Sequence, residues 1–229
     1  MIAVMDISSA FRRYLLPGFI FQSVIIAGGY GTGRELVEFF LSQGPMGGLL
    51  GIIVATLIFS AVSMATFELA RMWGAYDYRR FFQKLLGRGW WVFEVCYVGL
   101  LLIVLAVVAA ASGSIMEETF GLNYWVGVGA VMIAVGALVF GGNETIEKFF
   151  TAWSFALYAV YMIFFIWCFQ SFGGAITSNL TVTPAGTGWI WAGLSYAGYN
   201  LAVIPPVLAA LRLHETRRET FIAGALTGP

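Results

Sequence analysis

Ala27-Gly28-Gly29-Tyr30-Gly31-Thr32-Gly33-Arg34-Glu35 interrupts an otherwise apolar stretch running from Leu15 to Leu41. A membrane-spanning helix would carry leucine and valine here. Instead, four glycines fall within six residues, and each weakens a helix by roughly 1 kcal/mol relative to alanine. Irregular backbone at membrane depth survives only where protein encloses it or where it lines a cavity. The stretch therefore reads as a broken transmembrane helix, and the break as a binding site. Close helix packing through small residues is the competing use of such glycines.

The surrounding composition places the break in a membrane. The chain has 229 residues, of which 60% are hydrophobic, 17% aromatic and 10% charged, and its mean hydropathy of +0.85 lies outside the range of soluble domains. Crossing a hydrocarbon core takes about 20 apolar residues. Such windows occur at Leu15 to Leu41, Gly47 to Ala70, Trp90 to Ile115, Tyr124 to Phe140, Phe149 to Phe172 and Gly188 to Leu211. A further apolar start, Thr220 to Pro229, reaches only about 15 Å at helical rise. The expected fold class is thus an all-α polytopic membrane protein, one transmembrane domain over residues 1–229, with six spans, the start of a seventh helix and an incomplete chain. Cys96 and Cys168 fall inside spans, where they read as small hydrophobes.

Orientation follows from the basic residues. Eleven of the twelve lysines and arginines share one side when the amino terminus is cytoplasmic, and Arg34 lies within the first span. The opposite loops, Ser42 to Met46, Met116 to Asn123 and Gly173 to Thr187, carry none, as the positive-inside rule demands. A multi-pass cell (inner or plasma) membrane protein in a lipid bilayer is expected. Net charge is zero and adds nothing about partners. No nucleic acid is expected, and no oligomeric state is indicated. Between Arg71 and Gly89, Tyr78, Phe81, Phe82, Leu85 and Leu86 recur opposite Arg79, Arg80, Lys84 and Arg88, predicting a short interfacial amphipathic helix. Gly173 to Gly188 is rich in Gly, Ser, Thr and Asn and reads as an external loop.

The sixth span is the second unusual one. Ser195, Tyr196, Tyr199 and Asn200 place polar groups at mid-depth, and Pro205-Pro206 follows. Two prolines remove two backbone donors and clash one turn back, so the helix is expected to bend or unwind around Tyr199 to Ile204. Helices five spans apart run in opposite directions, which relates the two breaks as an inverted repeat would.

An unwound segment offers free carbonyls from the half-helix before it and free amides from the half-helix after it. On this reading Gly29, Tyr30, Gly31, Thr32 and Gly33 bind substrate, with the amides of Gly31, Thr32 and Gly33 against an anionic group. Ser195, Tyr196, Tyr199 and Asn200 orient the substrate through side-chain hydrogen bonds. The carbonyls of Ala27 and Gly28 face a coupling cation. Arg34, Glu35 and Glu38 follow the first break, where a charge costs roughly 2.5 to 3.5 kcal/mol and normally meets a cavity or a partner. Arg34 and Glu38 are four apart and can simply pair; the sharper reading makes Arg34 a gate and Glu35 a proton or cation site. Glu68 is expected near water at a span end, and His214, the single histidine, as a solvated loop residue.

Gly18-Phe19-Ile20-Phe21-Gln22-Ser23 running into Gly28-Gly29-Tyr30-Gly31-Thr32-Gly33-Arg34-Glu35-Leu36-Val37-Glu38-Phe39-Phe40 resembles the opening helix of the YkvI-type membrane proteins, a branch of the amino acid/polyamine/organocation transporter superfamily. The resemblance covers the whole chain, with Ser195 to Pro206 supporting it. It implies the LeuT-type fold: two inverted repeats of five helices, with the broken first and sixth helices holding the substrate. The chain would then supply the first repeat, the broken sixth helix and the start of a seventh. The expected function is a secondary transporter of a small, amino-acid-like solute, without an organic cofactor and with coupling to Na+ or H+ left open. A non-transporting binding or sensing protein, or a six-helix half-unit completed by dimerisation, is the alternative. An enzyme is not expected, because no Ser/His, paired Asp or metal-ligand cluster converges within the spans.

Overall fold

The computed structural model describes residues 10–29, 34–182 and 186–229. Their regular structure is helical, and in chain order the helices are α1 (Leu16–Gly29), α2 (Gly44–Trp73), α3 (Tyr78–Leu86), α4 (Trp90–Phe120), α5 (Tyr124–Phe140), α6 (Gly142–Val182), α7 (Trp189–Asn200), α8 (Ile204–Val207) and α9 (Arg217–Thr227). Four helical segments among the described residues are long and apolar enough to cross a bilayer: Leu36–Trp73, Tyr78–Phe120, Phe155–Leu180 and Trp189–Leu213. The first two contain the second and third predicted spans, and the other two overlap most of the fifth and sixth. The fourth is the shorter apolar helix Tyr124–Phe140.

Two compact units are distinguished, one of Phe82–Phe150 and one of Met1–Phe81 with Thr151–Pro229. The smaller is an antiparallel hairpin of α4 and α5. The Asn123 side chain caps α5 by accepting the Trp125 N–H at 2.9 Å. Small residues line the seam: the Ser112 hydroxyl donates to the Gly127 carbonyl at 2.9 Å, and a Cβ on Gly113 would lie 2.5 Å from the Tyr124 ring. Phe82 stacks on Phe93 with ring centroids 3.6 Å apart.

The larger unit opens with a π-helical turn, Phe11–Leu15, that feeds α1. The described helical backbone of α1 runs to Gly29, and from Arg34 the chain is helical through a π-helical stretch Leu36–Phe40 and a 3-10 turn Leu41–Gln43. Gly44 then adopts φ 76° and ψ 165°, a conformation open to glycine and resisted by side-chain-bearing residues, and turns the chain into α2. At the far end of α2, Asp77 accepts the amides of Arg79 and Arg80 at 3.0 and 3.3 Å, starting the amphipathic helix α3 where the pattern predicts it. Phe81 is buried against Trp73.

Close backbone approach joins α2, α7 and α9. Lipid tails are as apolar as leucine, so helices in a membrane associate through contact and hydrogen bonding. A Cβ on Gly193 of α7 would lie 2.6 Å from the Gly51 carbonyl and 2.9 Å from Val54 Cβ, and one on Gly224 of α9 would lie 2.5 Å from the Met64 amide. The Ser60 hydroxyl donates to the Ala225 carbonyl at 2.9 Å. Gly193, Tyr196, Ala197 and Asn200 form the buried stripe of α7, the i, i+3, i+4, i+7 pattern of a packed face.

Two expectations are corrected. The segment read as a loop from Gly173 is helical through Val182, because local bonds offset its polarity: Thr177 Oγ1 donates to the Gly173 and Gly174 carbonyls at 3.0 Å, and Ser178 Oγ to the Ala175 carbonyl at 3.0 Å. Around Pro205-Pro206 the helix tightens instead of unwinding. A 3-10 turn, Leu201–Val203, follows α7, and a second, Leu208–Leu213, follows α8. Pro205 has no amide for the Leu201 carbonyl, and the Ile204 N–H takes its place one residue early. That i→i−3 bond keeps the segment helical.

Candidate functional site

A cavity of about 480 Å³ lies in the larger unit, lined by α1, the Leu36–Phe40 stretch, α2, α6, α7 and the end of α9. Its size falls within the range of small-molecule sites. The wall is mostly aromatic and aliphatic. Gln22, Thr56, Tyr158, Tyr161, Tyr196 and Thr227 bring polar atoms to it, and among the described residues no charged side chain lines it.

Tyr196 is the central lining residue. It is 3% exposed and meets Phe40, Phe39 and Phe59 edge-on, with ring centroids 4.8, 5.7 and 6.1 Å away. Such tilted aromatic pairs contribute about 0.5–1.5 kcal/mol each beyond area burial. Phe59 also packs edge-on against Phe21 of α1 at 5.2 Å. The aromatic set thus ties α1, the stretch after the glycine run, α2 and α7 into one wall. On α6, Tyr158 donates its hydroxyl hydrogen to Gln22 Oε1 of α1.

Of the four polar residues singled out on the sixth span, only Tyr196 lines the cavity. Regular helix through Asn200 keeps Ser195 and Tyr199, four apart, on a face beside the buried stripe. Asn200 is buried, and its Nδ2 donates to the Tyr196 carbonyl at 3.0 Å. Tyr199 is half exposed and hydrogen-bonds through its side chain to Glu35. Glu35 Oε2 is buried without a hydrogen-bond partner among the described residues. This pair links the continuation of the first span to the sixth. Arg34 and Glu38 pair at 3.7 Å on an exposed surface, away from the cavity wall. Ala27, Gly28 and Gly29 form the last turn of α1. Tyr30, Gly31, Thr32 and Gly33 lie outside the described residues. Tyr158 and Tyr161, absent from the sequence reading, announce themselves only as two hydroxyls at i, i+3 within an apolar span.

A second polar cluster joins the entry to α1, the end of α2 and the start of α9. Arg13 Nη1 donates to Glu219 Oε1 at 2.9 Å. Glu219 Oε2 accepts the amides of Glu215 and Thr216 at 2.9 and 3.1 Å, and Thr216 Oγ1 accepts the Glu219 amide, completing a capping box. Burial alone would raise the Glu219 carboxyl, but these amides and the Arg13 guanidinium hold it below the usual carboxylate range. Glu68 bonds both Arg71, at 2.6 Å, and the Thr220 hydroxyl, at 2.6 Å, so it is a structural partner where a water-exposed end residue was expected. His214 likewise departs from the solvated loop residue read from sequence. It is 2% exposed, because the chain between Leu213 and α9 folds it inward.

Over 216 residues the chain is 25% identical to "Uncharacterized membrane protein YkvI" of Bacillus subtilis (strain 168), an alignment covering 92% of this chain and 60% of that protein. The chain is similar to YkvI. It spans 60% of the length of that relative. No family model matches, and no solved structure matches. The apolar helices and the similarity to YkvI together make this a multi-pass, YkvI-like membrane protein.

Proposed function

We propose that the whole protein to which this chain belongs is a secondary transporter of a small, amino-acid-like solute in the cell membrane, with its amino terminus cytoplasmic. The cavity lined by Phe21 and Gln22 of α1, Tyr196 of α7 and Tyr158 of α6 is the observation that supports this reading. Its aromatic wall suits the apolar body of the solute, and Gln22, Tyr158 and Tyr196 bring polar groups to it for the charged ends. Glu35, with one buried oxygen unpartnered among the described residues and Tyr199 across from it, is the group for a coupling proton or Na+. A LeuT-type pair of inverted repeats, membership of the amino acid/polyamine/organocation superfamily and the absence of enzymatic activity belong to the same proposal.

The test is uptake of radiolabelled amino acids by proteoliposomes holding the full-length protein, under an imposed proton or Na+ gradient. Accumulation that collapses when the gradient is dissipated is the expected result. Saturable binding with no gradient-driven accumulation would favour a binding or sensing protein instead.

A further inference from the structure

Helix α3 follows the apolar helix α2 and precedes the apolar helix α4, both long enough to cross a bilayer. The end of such a span lies at the level of the lipid headgroups. Around α3, at 3.6 residues per turn, Tyr78, Phe81, Phe82, Leu85 and Leu86 fall on one continuous arc and Arg79, Arg80, Gln83 and Lys84 on the other. Phe81 is buried, but Leu85 and Leu86 are 46% and 44% exposed. The four residues of the polar arc are all exposed.

The charge on this helix has one sign. Between residues 79 and 88 the charged side chains are Arg79, Arg80, Lys84 and Arg88, and the stretch holds no carboxylate. Asp77, just before it, accepts the backbone amides of Arg79 and Arg80 and so acts as the start of the helix. Anchoring in the interface requires only the apolar arc. Cations gathered on an interfacial helix add attraction to anionic lipid, on the order of fivefold in affinity per charge. Long basic side chains can also lay their stems along apolar surface while the charged heads stay at the phosphates.

We propose that α3 is a binding surface for anionic phospholipid, with Arg79, Arg80 and Lys84 meeting headgroup phosphates and Leu85 and Leu86 resting against acyl chains. Charge complementarity selects the anionic headgroup. The exposed leucines select a lipid over a free phosphate ion, which would leave them uncovered. The inference stands apart from the transport reading, because it concerns lipid composition at one surface and no solute.

A bimane fluorophore at Leu86→Cys samples the lipid beside the apolar edge, and one at Ile163→Cys, 69% exposed on α6, serves as the reference. Each is placed in full-length protein freed of its native cysteines and reconstituted in equal parts phosphatidylglycerol and phosphatidylcholine. Brominating the acyl chains of first one lipid and then the other turns the two quenching values into a local lipid ratio. At position 86 phosphatidylglycerol should exceed its bulk share by at least about twofold, with no such excess at position 163. High salt should collapse the excess, since it shortens the reach of exposed charges. Replacing Arg79, Arg80 and Lys84 together by glutamine should abolish it, whereas Arg79→Lys with Arg80→Lys should keep it. Equal ratios at the two positions overturn the proposal whether or not the variants fold. An excess that survives the glutamine variant overturns it too, as does one erased by inorganic phosphate but not by chloride at matched ionic strength.

Discussion

Gly193 and Gly198 lie five residues apart on one helix, and the structure gives them opposite tolerances. A Cβ at position 193 would meet the Gly51 carbonyl at 2.6 Å and Val54 Cβ at 2.9 Å, whereas one at 198 meets nothing within 4 Å. Ordinary carbon contacts lie at about 3.5 Å or more, so Gly193→Ala must push α7 from α2 by roughly 0.6–0.9 Å. Neither obstacle is a flexible side-chain tip that could swing aside. Overpacking of this kind costs about 1–3 kcal/mol, while Gly198→Ala gains up to about 1 kcal/mol of helix propensity. Thermal unfolding of the full-length protein in detergent should show the contrast. At about 2–4 °C per kcal/mol for a chain of this size, Gly193→Ala lowers the midpoint by several degrees and Gly198→Ala leaves it level or slightly higher. Tyr196 is carried on the same face as Gly193, so solute affinity should fall with the first variant and not with the second. Equal midpoints for the two variants would refute the close approach of α2 and α7 and, with it, the cavity wall they form.

Truncating the wall directly, Tyr196→Ala removes three edge-on ring contacts; it should destabilise by about 3–5 kcal/mol, as large aromatic truncations do, and weaken solute binding at least about tenfold by titration calorimetry, while Tyr196→Phe keeps the packing and stays within about 1 kcal/mol. At the second cluster, Glu219 has a folded-state value below its unfolded one of 4.5. Its contribution is therefore present above about pH 4.5 and drains away as pH falls through the folded value. Glu219→Gln should flatten that acid-side slope in a pH series of unfolding midpoints and cost about 1 kcal/mol of capping at neutral pH.

The two breaks illustrate how far residue patterns carry. The glycine run and the proline pair were both visible as departures from a uniform apolar helix, since composition and propensity act locally. What the prolines do was not visible: bending, unwinding and tightening all answer a missing amide, and the choice of a 3-10 turn at Leu201–Val203 depends on which neighbours enclose the freed carbonyls. The same limit applies to Ser195, Tyr196, Tyr199 and Asn200. They look equivalent as a polar group, yet helical phase sends Tyr196 to the cavity, Tyr199 to Glu35 and Asn200 to a backbone bond inside α7. Gly173 to Val182 misled because Ser and Thr favour loops, but they also bond back to helix carbonyls.

Length, apolar periodicity and composition by themselves determined a multi-pass helical membrane protein, because bilayer insertion is governed by transfer energies summed along the chain. Tertiary structure alone decided that Phe21, Tyr158 and Tyr196 face one cavity, that His214 is buried, and that Arg13 reaches Glu219 across 206 residues. Those relations rest on helix phase and on close approach at glycines such as Gly193, and pairings so distant in sequence leave no periodic trace in it.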